Sequence, residues 1–186
     1  MRKIIVFNLI SLDGFFAGEN GGIDWHNVDD SFNQFTIEQM NEFGTIIFGR
    51  TTYQMFESFW PQVIGNPKFS KEDRKIAKII DDIDKIVFST TLNKLTWKNS
   101  KLFHDINPLE IKKLKKKPGK DMVIFGSGTI TQEMINLGFV DEIKLLVNPV
   151  ILGKGKPMFK NVKKTNLKLL KTREFANGNI LLCYKV

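Results

Sequence analysis

Met122-Val123-Ile124-Phe125-Gly126-Ser127-Gly128-Thr129-Ile130-Thr131-Gln132-Glu133-Met134-Ile135-Asn136-Leu137 is the stretch whose reading decides the fold. Its first four residues form an unbroken apolar run, as a strand buried on both faces would, and a glycine pair breaks that run just before residues at helical spacing. The pattern reads as a strand, a tight turn and a helix start. Gly126 and Gly128 allow backbone torsions closed to other residues and leave no side chain between backbone and ligand, while the next amides point outward at a helix N-terminus, where an anion is welcome. A glycine turn of this kind is more often a helix entry that needs a small residue. The functional reading therefore depends on a second such turn.

Thr45-Ile46-Ile47-Phe48 supplies the strand for it, and Gly49-Arg50-Thr51-Thr52-Tyr53 turns that strand into a helix bearing Met55, Phe56 and Phe59. Gly49 gives close backbone approach, Arg50 a forked cation suited to phosphate, and Thr51 and Thr52 hydroxyls at the helix N-terminus. Two such turns in one domain favour a ligand with two phosphate-bearing regions. Lys85 to Phe88 is a third strand, ending at Ser89-Thr90-Thr91, whose hydroxyls either meet phosphate or close a strand-end turn.

The chain of 186 residues reads as one domain, 1–186, with no linker in it. Hydrophobic residues make up 42% and include 16 Phe, enough for a large core. No apolar run approaches the roughly 18 residues a membrane span needs, so a soluble protein with no membrane partner is expected. Met1-Arg2-Lys3 followed by Ile4-Ile5-Val6-Phe7 could pass for a signal peptide, but Asn8, Ser11 and Asp13 cut the apolar segment short, and Arg2 to Leu9 reads as a central strand. A single cysteine, Cys183, excludes an internal disulfide, and two histidines give no zinc cluster; no metal is expected, and a reducing cytoplasm fits. The net charge of +8 is densest at Lys112-Lys113-Leu114-Lys115-Lys116-Lys117. That run either contacts nucleic acid or is the solvated face of a short helix between Asn107-Pro108 and Pro118-Gly119. It has no interleaved aromatics and matches no nucleic-acid motif, which favours the helix.

Between these landmarks, Ser11 to Gly22 is a long glycine-punctuated loop, and a helix with Phe32, Phe35 and Met40 on one side follows, capped by Asp29 or Asp30. Ser70 with Asp73 resembles a capping box for a helix through Ile80. Val140 to Val147 is a strand, Asn148 to Pro157 an irregular loop, and Ala176-Asn177-Gly178-Asn179 joins Leu167–Phe175 to Ile180–Val186 as a hairpin. Strands alternate with helices early and pair antiparallel late. The expected class is α/β: a mostly parallel central sheet with an antiparallel C-terminal edge and helices on both faces.

With these residues in place the sequence resembles the dihydrofolate reductase-like superfamily, in the branch related to the C-terminal reductase domain of bacterial riboflavin biosynthesis. The likeness covers nearly the whole chain. It rests on Ser-Leu-Asp-Gly at 11–14, Trp25 followed five residues on by Asp30, Phe-Gly-Arg-Thr-Thr-Tyr at 48–53, Phe-Gly-Ser-Gly at 125–128 and Pro-Val-Ile-Leu-Gly-Lys-Gly-Lys-Pro-Met-Phe at 149–159. The resemblance implies NADPH across the strand ends. Gly49, Arg50, Thr51 and Thr52 would hold cofactor phosphates, Ser89 and Thr90 would lie near the adenosine 2′-phosphate, and Gly126, Ser127, Gly128 and Thr129 would cradle the pyrophosphate. It places Asp13 and Asp30 on the substrate side, with Asp30 and Trp25 where dihydrofolate reductases carry the carboxylate and indole that serve the pterin. A buried carboxylate beside an apolar ring would have a raised pKa and help deliver a proton; the competing reading is that Asp29 or Asp30 only caps a helix.

Phe15, Phe16 and Glu19 depart from the usual dihydrofolate reductase loop, and neither an arginine for a folate tail nor a full phosphate set for a ribosylated pyrimidine is found. The leading expectation is an NADPH-dependent reductase of a flat heterocycle (pterin-, folate- or ribosylaminopyrimidine-like), assembled as a homodimer. The alternative is a nucleotide-binding protein that keeps the pocket without turnover.

Overall fold

A computed structural model describes residues 1–186. Strand β1, Ile4–Ser11, is buried almost throughout, and its side chains alternate between two cores, with Ile4, Val6 and Ile10 in one and Ile5 and Phe7 in the other. A strand apolar on both faces must lie in mid-sheet under two helical layers. Its parallel neighbours are β6, Asp121–Phe125, and β7, Glu142–Asn148. Outward from β6 run β3 (Phe43–Gly49), β4 (Asp84–Phe88) and β5 (Ser100–Phe103), all parallel. Outward from β7 lie β10 (Ile180–Lys185) and then β9 (Lys168–Glu174). β10 is antiparallel to both its neighbours and is the one reversed strand of the eight-stranded sheet. A small second sheet pairs β2 (Phe15–Ala17) with β8 (Lys156–Pro157).

Helices α1 (Asp30–Glu42), α2 (Arg50–Val63) and α3 (Lys71–Asp82) supply Phe32, Phe35, Tyr53, Ile76 and Ile80 to the core that holds Ile5 and Phe7. Helices α4 (Pro108–Lys116) and α5 (Gly128–Asn136) supply Ile111, Leu114, Ile130 and Met134 to the opposite core. The basic run is α4. Ile111 and Leu114 face inward, Lys115 turns back to the Asp141 carboxylate at 2.6 Å, and Lys112, Lys113 and Lys116 stay exposed. No helix is long and apolar enough to cross a membrane.

Three helices begin on a side chain of their own. Asp29 accepts from the Phe32 amide at 2.8 Å, Ser70 from Asp73 at 3.0 Å within a reciprocal capping box, and Asn107 from Leu109 at 2.9 Å ahead of Pro108. Each satisfies an amide that a helix start leaves without an internal partner. Helices α2 and α5 have no such cap.

Candidate functional site

The two uncapped helices leave adjacent strands in opposite directions. β3 passes through Gly49 into α2 on one face of the sheet, and β6 passes through Gly126-Ser127 into α5 on the other. Where neighbouring parallel strands send their helices to opposite faces, a crevice opens at the carboxyl ends, and ligands of open α/β sheets bind there. Here it is a cleft of about 530 Å³. Gly49, Arg50, Thr51 and Thr52 line it from the β3 turn, Ser127 and Thr129 from the β6 turn, and Ser89 and Thr90 from the end of β4. The structure thus gathers the three phosphate-ready segments on one wall. From β6 across to β5 are three inter-strand steps, about 14 Å at the usual spacing, so the cleft is long enough for two separated phosphate groups.

The two turns are locked on each other. The Ser127 hydroxyl accepts from the Gly49 amide at 2.6 Å, and Thr52 Oγ1 accepts from both the Ser127 amide and the Ser127 hydroxyl at 3.1 Å. Asn8 Oδ1 accepts from the Gly126 amide at 2.6 Å, tying the turn to β1. Thr52 is buried, and its hydroxyl serves this network; Thr51 and Arg50 stand exposed at the mouth of α2. The Gly49, Gly126 and Ser127 amides are therefore spent within the protein, and the next amides along α2 and α5 are the ones the helix starts leave open.

Gly126 and Gly128 do not line the cleft. A Cβ at Gly126, whose φ is +55°, would lie 2.9 Å from Thr52, and one at Gly128 would lie 2.8 Å from the Phe16 ring. The expectation that these glycines are bare to admit a ligand gives way to a packing reason: the space is already filled by protein. Ser127 itself takes φ 53°, so two successive left-handed residues shape the turn.

Ser89 is buried, and its hydroxyl accepts from the amides of Thr91 (3.2 Å) and Leu92 (3.0 Å), the strand-end turn read from sequence. Thr90 is exposed, and Arg50 Nη1 donates to Thr91 Oγ1 at 3.0 Å. His104, Asp105, Ile106 and Glu133 also line the cleft. Sequence reasoning missed them because the first three follow β5, a four-residue edge strand reading Ser-Lys-Leu-Phe with no hydrophobic pattern to announce it.

On the substrate side the structure decides between the two candidate caps. Asp29 is the cap of α1, so Asp30 is neither the cap nor buried: it is exposed in the first turn. Asp13 is exposed and already engaged within the protein. Its carboxylate accepts from the Ser11 hydroxyl (2.6 Å) and the amides of Gly153 (2.8 Å) and Leu152 (3.2 Å), and the Ser11 bond foremost holds its pKa below the usual carboxylate range. With Leu12 donating to Val150 and Met158 to Gly14, it fastens the loop after β1 to the loop after β7. Trp25 is half-buried, and its indole N–H is buried without a partner; the neighbouring His26 ring meets it edge-on at 4.5 Å, and burial pushes the imidazole pKa down to about 4. The partly exposed Leu9, Phe56, Trp60 and Phe125 pack against the core, the Phe56 and Phe125 rings lying within 25° of parallel at 6.3 Å.

The sequence matches the family described as the RibD C-terminal domain over residues 2–181. It is 38% identical to the uncharacterized protein YyaP of Bacillus subtilis strain 168 over 185 residues, spanning 98% of this chain and 94% of that protein. The structure is similar to that of a protein assigned to riboflavin biosynthesis in Shewanella sp. PV-4, with a TM-score of 0.74 and 22% identity over 98% of each chain. It is similar also to dihydrofolate reductase of Enterococcus faecalis in complex with NADP(H), with a TM-score of 0.66 and 14% identity over 98% of this chain and 95% of that one. At these identities the solved structures speak for the fold, which is that of the dihydrofolate reductases.

Proposed function

The chain belongs to the RibD C-terminal domain family, and on that premise we propose that it is an NADPH-dependent reductase of a flat heterocyclic small molecule of pterin, folate or ribosylaminopyrimidine type. The observation that carries the proposal is the pair of uncapped helix starts, α2 and α5, opening on one cleft while the other three helices cap themselves. Helix starts left open in this way favour an anion through their free amides and their dipoles. The pyrophosphate would lie between the Arg50–Thr51 and Thr129 turns, and the adenosine phosphate beside Arg50, Ser89 and Thr90.

NADPH supplies a hydride; the protein's part is to orient it against the substrate, exclude water and manage a proton. Phe56, Trp60 and Phe125 offer the planar apolar surface on which a heterocycle stacks. The unpartnered Trp25 N–H is a donor for a ring carbonyl or a bridging water. Asp30, its carboxylate free of the cap, would anchor a ring N–H of the substrate and help manage its proton.

The test is a titration of NADPH followed by nicotinamide fluorescence, then oxidation of bound NADPH across a panel of pterins, dihydrofolate and ribosylaminopyrimidines. Saturable binding with turnover of one panel class is expected. Binding without oxidation by any member would favour a nucleotide-binding protein without turnover, and absence of NADPH binding would end the cofactor assignment.

A further inference from the structure

We propose that Asn20 is a site of spontaneous covalent modification: the Gly21 amide nitrogen attacks the Asn20 side chain and converts it, through a cyclic imide, to isoaspartate and aspartate. Asn177, in the same dipeptide and the same turn, is protected. Asn-Gly pairs are prone to this reaction because glycine puts no side chain in the path of the attacking nitrogen. The chain has two of them, Asn20-Gly21 and Asn177-Gly178.

The main chains of the two turns match bond for bond. Gly21 takes φ +85° and Gly178 φ +87°. The Gly21 amide donates to the Gly18 carbonyl and the Gly18 amide to Gly22, both at 2.9 Å; the Gly178 amide donates to Phe175 and the Phe175 amide to Asn179, also at 2.9 Å. Each is a three-residue turn whose left-handed last position suits glycine. The nucleophile is therefore alike in both, and what differs is the side chain it must reach. Asn177 Nδ2 donates to the Asn27 carbonyl at 3.0 Å, its Oδ1 accepts from the Asn179 amide at 3.1 Å, and Asn27 Nδ2 returns a bond to the Asn177 carbonyl at 2.7 Å. Asn20 is exposed, and its side chain has no hydrogen-bond partner.

Charge adds to the difference. A Cβ on Gly21 would lie 3.1 Å from Lys156 Nζ, which sets that ammonium against the attacking residue. Close by, Lys154 is paired with Glu19 at 2.8 Å and Asp24 lies against Gly22, leaving Lys156 as the unpaired cation. In the reaction the Gly21 nitrogen bonds to Asn20 Cγ and loses its proton, the Cγ–Nδ2 bond breaks, and ammonia departs carrying that proton. Water then opens the imide at either carbonyl, so no oxidant or cofactor enters. An ammonium at this place stabilises the negative charge that develops on the side-chain oxygen during attack. The product carboxylate would face Lys156. The isoaspartate form adds a methylene to the main chain inside a turn closed by two hydrogen bonds, so the loop after β1 would be remade and not only recharged.

The experiment incubates the purified chain near neutral pH and body temperature, natively and in urea. Conversion at both positions is followed by peptide mass mapping after digestion in acid, with isoaspartate and aspartate products separated. In the folded wild type Asn20 should convert roughly tenfold or more faster than Asn177, which must first break the two hydrogen bonds that hold its side chain. In urea the two rates should draw together. Asn27→Ala, which removes the returning bond, should raise the Asn177 rate towards that of Asn20. Lys156→Gln should slow Asn20 about two- to fivefold, the worth of one exposed charge, and leave Asn177 unchanged. Equal rates or no conversion at Asn20 in the folded wild type, a gap that persists undiminished in urea, or aspartate as the sole product overturns the proposal. An Asn20 rate unmoved by Lys156→Gln overturns the part given to the ammonium.

Discussion

Gly128→Ala separates packing from ligand approach at the β6 turn. The added Cβ would stand 2.8 Å from Phe16 Cε1 and 3.1 Å from Cζ, closer than carbon atoms tolerate, so the ring must move. Gly128 has ordinary helical torsions and lies in the first turn of α5, so alanine brings no backbone strain there. The cost is overpacking, typically about 1–3 kcal/mol, and in a chain of this size each kcal/mol lowers the melting temperature by about 2–4 °C. Phe16→Ala loses the packing of a half-buried ring but vacates the space. In that background Gly128→Ala should cost nothing, giving a coupling of about 1–3 kcal/mol between two sites more than a hundred residues apart in sequence. Thermal or urea unfolding of the four proteins of this cycle measures it. NADPH affinity, read by fluorescence, should be the same in Phe16→Ala with and without Gly128→Ala, because Gly128 is not part of the cleft wall. If the two substitutions add without coupling, or if Gly128→Ala weakens NADPH in the Phe16→Ala background, then the glycine serves the ligand and the packing argument is wrong.

Three other outcomes are expected. His26 has its pKa lowered from 6.5 to about 4 by burial. The unfolded chain then binds the extra proton first, so the stability this neutral ring contributes is complete above pH 6.5 and lost as pH falls towards 4. The loss is up to about 3 kcal/mol, and it should show as a falling melting temperature in that window that His26→Gln largely removes. Asp30→Asn should lower turnover about 100- to 10,000-fold once a substrate is known, with NADPH affinity and melting temperature unchanged, because Asp29 and not Asp30 caps α1; unchanged turnover would deny Asp30 a part in the chemistry. Leu169, Leu170 and Ile180 are half-exposed on the outer strands, and a two-fold dimer through these strands would cover them; light scattering should give about twice 21.4 kDa, and a value near 21.4 kDa at micromolar concentration would deny the dimer.

The readable parts of the sequence were those where one local cause dominates. Met122–Phe125 and Ile46–Phe48 lie in strands buried on both faces and so are continuously apolar, and Ser70 and Asn107 cap helices with their own side chains. The Asn177-Gly178 hairpin was legible for the same reason, since Gly178 takes φ +87° where only glycine is at ease. Partnerships between distant segments were not legible. Nothing near Asp13 announces that its carboxylate closes on Leu152 and Gly153, and nothing near Gly126 announces Thr52. Two adjacent carboxylates, Asp29 and Asp30, gave no means of choosing the cap, because the choice depends on which torsions the incoming loop imposes. β5 escaped because an edge strand of four residues, packed on one side only, needs no apolar run.

The reversed strand has a bearing on how the protein is made. β10 lies between β7 and β9, so residues 168–174 have no partner in the sheet until residues 180–185 have been placed against 142–148. During synthesis β9 emerges first and must wait, carrying Leu169 and Leu170 uncovered, for a segment that leaves the ribosome after it. Any perturbation of β10, such as a charge at Leu181 or Cys183, both facing the core, would therefore release two strands, one of which it never touches. The released segment, Leu167 to Glu174, would be an unpaired, β-prone stretch of the kind that recruits other chains, and its three cations, Lys168, Lys171 and Arg173, are placed to keep copies apart during that wait.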